Sequence, residues 1–292
     1  MKQTPLPKHK KLNIVPLFIL LAAAFILCDI AVSKYHLAIT EYERTSPKIE
    51  TAIRIVHLTD LHNNELGKEN ERLVRAVEGA DPDLVCITGD LLDLHSSDTD
   101  TAVSLVEDLA ENFPVYISYG NHEVQYSYMD QTELRRMLEE AGAVVLDFDY
   151  EDITLNGTTV RIGGFYGYGF PVGYEVERED ESAFLSRFQD TDSYKILLAH
   201  MPFAWYRVGS LDAWDVDLVF CGHTHGGQVR LPRIGGLYAP EVGWFPGRER
   251  GIYDSEDGES FMVLSRGLGS AEGVPRFNNP PELVVLDLLP ES

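Results

Sequence analysis

Five short apolar runs, each followed directly by polar residues, constrain the fold of this 292-residue chain most strongly. The runs are IRIVHL (53–58), LVCIT (84–88), VYISY (115–119), ILLA (196–199) and LVF (218–220). They are rich in β-branched and aromatic residues without polar alternation, which predicts strands buried on both faces. Apolar residues at helical spacing in 69–79, 101–112 and 129–141 predict helices. The alternation of the two patterns indicates an α/β domain.

The polar residues after the five runs are of types that bind metal ions. They are Asp60 and His62, Asp90, Asn121 and His122, His200, and finally His223 and His225. Ligands in open α/β sheets gather beyond the carboxyl ends of strands, so we expect these side chains to converge. Alternate residues of an extended chain point to the same side, so His223 and His225 are expected to face one point. Taken alone, that pair fits two solvated turn histidines equally well; the other four groups favour a shared site.

Asp, Asn and His donors without Cys suit Mn²⁺, Fe or Zn²⁺ better than an ion that prefers thiolates. Seven of these eight residues, all except His122, already exceed the needs of one ion. Two divalent ions about 3.5–4 Å apart, bridged by one carboxylate, use all seven. A hydroxide that bridges the two ions can attack phosphorus in line while the cations neutralise the phosphate oxygens. The pattern predicts a dinuclear metal-dependent hydrolase of phosphate esters.

The ordered set D-x-H, G-D, G-N-H-E, H, G-H-T-H resembles the calcineurin-like metallophosphoesterase superfamily across about residues 51–290. The resemblance implies a four-layer α/β/β/α sandwich with two mixed β-sheets. It also implies that Asp90 bridges two metal ions. His122 is implied not to be a ligand but a catalytic residue that protonates the leaving-group oxygen or stabilises the charge of the transition state. The implied ligands are Asp60, His62 and His225 for the first metal ion and Asn121, His200 and His223 for the second.

Finer features resemble the bacterial membrane-associated branch of that superfamily. They are the GHTHGGQ, TGDLLD and RFNNPPEL segments together with an apolar N-terminal segment. Leu94 stands where protein serine/threonine phosphatases have arginine, which disfavours a protein substrate. The expected substrate is a phosphodiester or pyrophosphate, and relatives in that branch suggest a nucleotide-linked lipid sugar. A non-catalytic metal-binding scaffold and a nuclease are the alternatives.

The charge distribution disfavours nucleic acid as a partner. Residues 1–50 carry seven Lys or Arg against four Asp or Glu, whereas residues 51–292 carry 17 against 43. Nucleic-acid affinity rests largely on basic side chains that neutralise phosphates, so a body this acidic repels a polyanion. A small phosphate ester held by bound cations is still compatible with this charge.

The first fifty residues predict a membrane anchor. The segment 12–28 has no charged residue and follows four lysines, Lys2, Lys8, Lys10 and Lys11. We expect a cytoplasmic basic tail (1–11), a transmembrane signal-anchor (12–33), a linker (34–50) and the catalytic domain (51–292). By the positive-inside rule, this is a single-pass protein of the cell membrane with an extracytoplasmic catalytic domain. A cleaved signal peptide is the alternative, although a small-x-small cleavage site is poorly matched.

Three further features have both a structural and a functional interpretation. His57 lies inside the first run and is expected to be a packed neighbour of the site. The aromatic loop 163–174 (GGFYGYGFPVGY) either lines a pocket, contacts the membrane or packs on the body. Five arginines after the last motif are candidates for contacting the substrate phosphate: Arg230, Arg233, Arg248, Arg250 and Arg276.

Overall fold

A computed structural model describes residues 15–93, 98–240, 242–270 and 274–291. Leu94 lies outside the described residues. The helices are α1 (Val15–Tyr35), α2 (Glu71–Ala80), α3 (Asp100–Ala110), α4 (Asn121–Glu140), α5 (Glu179–Phe188), α6 (Phe203–Arg207) and α7 (Ser210–Ala213). The strands are β1 (Ala38–Ser46), β2 (Ile53–Leu58), β3 (Leu84–Thr88), β4 (Val115–Ser118), β5 (Val144–Leu146), β6 (Asp149–Leu155), β7 (Thr158–Phe165), β8 (Tyr194–Ala199), β9 (Leu218–Cys221), β10 (Arg230–Leu231), β11 (Gly235–Gly236), β12 (Tyr238–Ala239), β13 (Gly243–Trp244), β14 (Gly251–Asp254), β15 (Phe261–Leu264) and β16 (Glu282–Pro290).

Two six-stranded mixed sheets form the centre of the body. The first has the order β1-β16-β2-β3-β4-β5, in which β2 to β5 are parallel and β16 is antiparallel to β2. The second has the order β14-β15-β9-β8-β7-β6, in which the four inner strands are parallel and both edge strands are antiparallel. All five predicted strands therefore lie parallel to a neighbour within one of these sheets, as their unbroken apolar runs indicate.

Three apolar cores divide the body into four layers. In β2, Ile55 faces the second sheet, whereas Val56 faces the core beneath α2, α3 and α4. Phe184 of α5 and Trp205 of α6 are buried against the outer face of the second sheet. Alternate side chains of a strand point to opposite faces, so each strand joins two cores. The predicted four-layer α/β/β/α sandwich is confirmed.

The expected linker at 34–50 contains a strand, so that boundary is wrong. β1 pairs in parallel with β16 over nine residues at the edge of the first sheet. Ile49 is buried between the sheets, and Lys48 Nζ lies 2.8 Å from Asp217 Oδ1. The inward positions of β1 are half-buried and mostly polar, which gave its sequence the composition of a tether. The folded body therefore begins near Leu37.

Two chain reversals join neighbouring strands, and two helix boundaries differ from those predicted. Asn156 and Gly157, with φ angles of 50° and 88°, join β6 to β7 as a tight hairpin. β14 and β15 also form an antiparallel pair. α2 runs past Gly79, because Asp81 takes the left-handed position that ends the helix. α4 begins at Asn121, directly after β4, and not at Met129.

One helix of the described residues, α1, is long and apolar enough to cross a membrane. Its 21 residues extend over about 30 Å, the thickness of a bilayer's hydrocarbon core. Most of its side chains are exposed. Its C-terminal half contacts the body, where the backbone N–H of Asn278 donates to the Asp29 carboxylate. The N–H of Asn279 donates to Ser33 Oγ at 3.2 Å.

The position of β1 predicts how the body responds to truncation. We expect a fragment that starts at Thr51 to be less stable than one that starts at Leu37. The shorter fragment loses the backbone hydrogen bonds of β1, each worth about 0.5–1.5 kcal/mol net, and exposes the edge of β16. Urea unfolding of both fragments measures the difference. Equal unfolding midpoints would show that β1 is dispensable.

Candidate metal centre

The polar residues predicted from the strand ends come together where the two sheets meet. Asp60 and Asp90 follow β2 and β3, and Asn121 begins α4 immediately after β4. His200 follows β8, and His223 follows β9 of the second sheet. All the candidates except Asn121 and His122 are buried. The carboxyl ends of five parallel strands therefore deliver one cluster.

Sharp turns after the strands aim these side chains. Five of the seven ligand candidates have φ angles from 48° to 70°: Asp60, His62, Asp90, His223 and His225. Residues other than glycine seldom adopt this left-handed region, and such strained positions gather at functional sites. Backbone hydrogen bonds hold two of the turns together, from Asp60 N to Gly89 O and from His62 N to Asp90 O, both 3.0 Å.

The expected reason for the pairing of His223 with His225 is wrong. The two residues do not lie on an extended segment, because Thr224 has helical angles and His225 begins a 3₁₀ turn. Positive φ angles turn the two side chains to different parts of the cluster instead. His225 lies with Asp60 and His62, whereas His223 lies with Asp90 and His200.

Three groups of three donors each have a spacing that suits one metal ion. In each group the nitrogen and oxygen atoms all lie within 4.8 Å of one another. The first group is Asp60, His62 and His225, and the second is Asp90, His200 and His223. The third group, His62, Asp90 and His122, adds only His122 to residues that the first two groups already contain. Asp90 Oδ2 lies 3.2 Å from His200 Nε2 and 3.8 Å from His62 Nε2, so it reaches both groups.

Several donor atoms in the cluster have no hydrogen-bond partner. His62 Nε2, Asn121 Oδ1 and His223 Nε2 are all buried and unpartnered. A buried polar atom without a partner costs about 1–3 kcal/mol, so native proteins rarely keep several side by side. A cation bound between them would satisfy all three. With the absence of sulfur ligands, this donor set fits divalent metal ions.

Backbone N–H groups fix the two carboxylates in place. Asp60 Oδ1 accepts from the N–H of His223 at 2.9 Å, and Asp90 Oδ1 accepts from the N–H of His122 at 2.9 Å. The N–H of His223 also lies 3.1 Å from Asp60 Oδ2, so both oxygens of Asp60, but only Oδ1 of Asp90, hold a loop that carries other candidates. Asp90 Oδ2 remains directed at the histidines.

Burial keeps three of the histidines neutral. It lowers the pKa of His62 to about 4 and that of His223 to about 3, and it places the pKa of His225 well below its usual value. At neutral pH each of these rings therefore offers a lone pair, as a metal ligand must.

His200 and the carboxylates behave differently. Burial opposes protonation of His200, but the charges of Asp90 and Asp60 outweigh it and raise its pKa to about 10. Burial raises the pKa of Asp60 to about 6. Burial also disfavours the charged form of Asp90, yet His200, His62 and His122 hold the pKa of Asp90 well below its usual value. The two buried carboxylates thus favour a positively charged group, either a protonated histidine or a cation, within the cluster.

His122 lies at the edge of the cluster and faces the solvent-accessible side. Its Nδ1 lies 2.9 Å from the carbonyl oxygen of Leu92, which makes Nδ1 the donor and orients the ring. Its Nε2 lies 3.8 Å from Asp90 Oδ2. The side chain is 13% exposed, against 2% or less for His62, His200 and His225. His122 is therefore the ring of the cluster best placed to meet a ligand.

Glu123, which follows His122, organises the loops around Asp90. Its buried carboxylate accepts hydrogen bonds from the backbone N–H groups of Asp90 (2.7 Å), Leu92 (3.0 Å) and Gly120 (2.9 Å). The last bond caps the N-terminus of α4, as a glutamate three residues after an N-cap often does. Gly120 is required here because a β-carbon would collide with Asp90.

The cluster forms the floor of a cavity of about 450 Å³. Its walls come from 227–229 and from residues of 237–244, which include Leu237, Tyr238 and Trp244, together with Val274. None of the described residues that line it is Lys or Arg. The volume is in the range of small-molecule sites, and the walls are mostly apolar.

The sequence did not single out these wall residues. The arginines that follow the last motif are the residues expected to contact the substrate, but none of the five lines the cavity. Arg230 pairs with Glu249 at 2.9 Å, and Arg276 is buried, donating to the carbonyl oxygens of Gly269 and Arg266. The aromatic residues of the segment GLYAPEVGWFPG were the sequence feature that could have indicated this wall.

Two other features are structural. His57 is buried against the Phe220 ring and its Nε2 lies 2.7 Å from Thr88 Oγ1, so the expected packing role is confirmed. The aromatic loop 163–174 does not line the cavity. Its Gly169 carbonyl accepts from Trp214 Nε1 at 2.9 Å, and Phe170 is buried. The loop therefore packs on the second sheet.

The contacts of Glu123 predict a stability effect. In Glu123→Gln the amide nitrogen cannot accept a hydrogen bond, so at least one of three buried N–H groups loses its acceptor. We expect the free energy of unfolding to fall by about 1–3 kcal/mol. Glu140→Gln, at the exposed end of the same helix, is the control and should change it by less than about 0.5 kcal/mol. Urea unfolding decides, and equal stability of the two variants would contradict the role of Glu123.

Comparisons with known proteins agree with this geometry. The model of the calcineurin-like phosphoesterase family matches residues 53–227. An uncharacterized metallophosphoesterase of Aquifex aeolicus is 28% identical over 263 residues, which are 87% of this chain and 92% of the relative. Phosphodiesterase YaeI of Escherichia coli is 28% identical over 242 residues, which are 81% of this chain and 82% of the relative.

Solved structures include similar folds at low identity. TT1561 of Thermus thermophilus is 14% identical, with a TM-score of 0.47 over 75% of this chain and 91% of that one. The family match spans more than half of the chain and contains all five strand ends that build the cluster. The chain therefore belongs to the calcineurin-like phosphoesterase family and is a phosphoester hydrolase.

Proposed function

We propose that the chain hydrolyses a phosphodiester or pyrophosphate bond with two divalent metal ions. The observation that carries the proposal is the cluster itself: two donor groups, one carboxylate within reach of both, and unpartnered donor atoms facing a cavity. A single ion leaves donors unused, whereas two ions use both groups. Mn²⁺, Fe and Zn²⁺ all suit the donor set.

The ligand assignment follows from the two groups. Asp60, His62 and His225 would hold one ion; Asn121, His200 and His223 would hold the other; Asp90 would contact both. Asn121 joins the second group because its buried, unpartnered Oδ1 faces the cavity from the start of α4. When bound, such ions lower the pKa of water and neutralise charge on phosphate oxygens.

His122 would supply the proton that the reaction needs. The Leu92 carbonyl fixes its Nδ1, so Nε2 is the atom that faces a substrate at the cavity floor. A histidine in that place can protonate the leaving-group oxygen or stabilise developing charge. His122 is not a metal ligand in this assignment, because the other seven donors already hold the two ions.

The walls favour a diester or pyrophosphate over a monoester. A phosphate with two negative charges is usually held by arginine or lysine in addition to metal ions. The described lining has neither, and most of its surface is apolar. A substrate with an apolar substituent on its phosphate fits these walls. We therefore propose a lipid-linked phosphate ester, of which a nucleotide-linked lipid sugar is one example.

The membrane location is part of the proposal. Four lysines precede the apolar segment, and α1 has the length of a membrane span. Positive charge on the N-terminal side keeps that end in the cytoplasm, which places the phosphoesterase body outside it. A cleaved signal peptide would also export the body, and the apparent mass of the mature protein distinguishes the two.

A metal-dependence experiment tests the reaction. We expect a chelator to abolish turnover of bis-p-nitrophenyl phosphate by the full chain, and Mn²⁺ to restore it. A panel of nucleotide sugars, lipid diesters, phosphoproteins and single-stranded DNA should show preference for the diesters and pyrophosphates. Turnover of no ester despite two bound ions would indicate a binding scaffold. DNA cleavage at a comparable rate would indicate a nuclease.

A substitution of His122 tests the mechanism. We expect His122→Ala to slow turnover about 10²- to 10⁴-fold, the usual contribution of general acid–base catalysis, and to retain its metal ions. His225→Ala should instead lose metal. His36→Ala, an exposed histidine far from the cluster in sequence, is the control and should match the parent. Metal content and kcat are measured together; metal loss in His122→Ala would make His122 a ligand.

A further inference from the structure

Large apolar side chains are exposed around the mouth of the cavity. They belong to the rim loop, defined here as residues 229–245, of which the structure describes all but Glu241. Trp244 is 71% exposed, Phe245 62% and Ile234 57%. Tyr238 and Trp244 also form part of the cavity wall. An exposed apolar cluster beside a binding site marks a contact surface.

The rim loop is built to project these side chains. β10 pairs with β11, and β12 pairs with β13, so the loop consists of two short hairpins. Backbone bonds from Leu237 N to Val229 O (2.9 Å) and from Phe245 N to Leu237 O (2.8 Å) tie the hairpins together. The Tyr238 and Trp244 rings contact each other edge to face at 5.6 Å.

The base of the rim loop adjoins α1. Val229 forms a parallel bridge with Phe277, and the Phe277 ring lies 6.4 Å from the Phe25 ring of α1. Val274 lines the cavity together with Trp244 and also lines a groove formed with Ile30 and Lys34 of α1. The cavity mouth and the helix therefore share one face of the protein.

The position of the first charged residue of α1 indicates the level of this face relative to the membrane. Asp29 is the first charged residue after the uncharged segment 12–28, so it marks the end of a membrane span. Asn278 contacts Asp29. Phe25 lies one turn further into the span and contacts Phe277. Phe277 and the attached base of the rim loop are thus at the level where the hydrocarbon core meets the head groups.

The residue types of the rim loop are suited to the boundary between the hydrocarbon core and the head groups. Tryptophan and tyrosine are enriched at membrane interfaces, where the ring is apolar and its polar atom reaches water. Arg233 and Arg248, in and next to the loop, are exposed, although the body as a whole is strongly acidic. Basic side chains are attracted to an anionic lipid surface.

We propose that the rim loop lies in the membrane interface, so that the cavity opens directly onto the bilayer surface. A phosphate ester attached to a lipid then reaches the cluster while its acyl chains stay in the membrane. The proposal rests on the proposed function for the insertion of α1 and for the lipid-linked substrate, but the position of the rim loop does not depend on which bond is cleaved.

Trp244 is a natural reporter of this contact. The chain has three tryptophans, of which Trp205 and Trp214 are buried in the third core, 1% and 5% exposed. The full chain is reconstituted in phosphatidylcholine/phosphatidylglycerol vesicles whose acyl chains are or are not brominated. We expect brominated chains to quench the exposed component of the emission, and Trp244→Phe to lack that quenched component.

Matched variants separate the loop from the anchor. Ile234→Ser/Phe245→Ser should lose most of the quenching of Trp244 but keep flotation with the vesicles and turnover of bis-p-nitrophenyl phosphate. Val172→Ser/Val176→Ser removes two exposed apolar side chains of another loop (70% and 55% exposed) and should match the parent. Quenching by aqueous iodide and not by brominated lipid, in protein that floats, would overturn the proposal. Failure to float would overturn it together with the anchor, but would leave the hydrolase assignment standing.

Discussion

The burial of two carboxylates between the ends of two sheets is the constraint on which the rest of this structure depends. Asp60 and Asp90 are removed from water, so each needs compensating partners within a few ångströms. Backbone N–H groups of His223 and His122 supply part of the compensation. The remainder is electrostatic, and the histidines around the carboxylates can share it with cations. Cations bound there would reverse the local field and so allow a phosphate ester to enter so acidic a body.

Hydrogen bonds between loops of the first sheet and loops of the second sheet maintain this arrangement. Each sheet contributes parallel strands, and each strand end provides a turn that is stabilised by another strand's residues. Asp60 from the first sheet holds the loop of His223 from the second, while Glu123 ties the loops after β3 and β4 together. Loss of one element therefore displaces donors on others. The rim loop and α1 lie on the face of the body where the cavity of this site opens.

The sequence was sufficient to predict the cluster but not its surroundings. Apolar runs identify buried parallel strands, and the carboxyl ends of such strands converge in any open α/β sheet, so Asp60 to His225 could be placed together. The directions in which the His223 and His225 side chains point could not be predicted, because they depend on left-handed turns that tertiary contacts impose. β1 was missed because its inward positions are polar. Trp244 was missed because its role arises from hairpins of two residues per strand, too short for any periodicity.

The central claim is that these residues hold two cations side by side. Anomalous diffraction from crystals of the protein soaked in Mn²⁺ tests it most directly. The account predicts two peaks about 3.5–4 Å apart, with Asp90 between them, Asp60, His62 and His225 around one, and Asn121, His200 and His223 around the other. A single peak, or peaks away from these side chains, would contradict it.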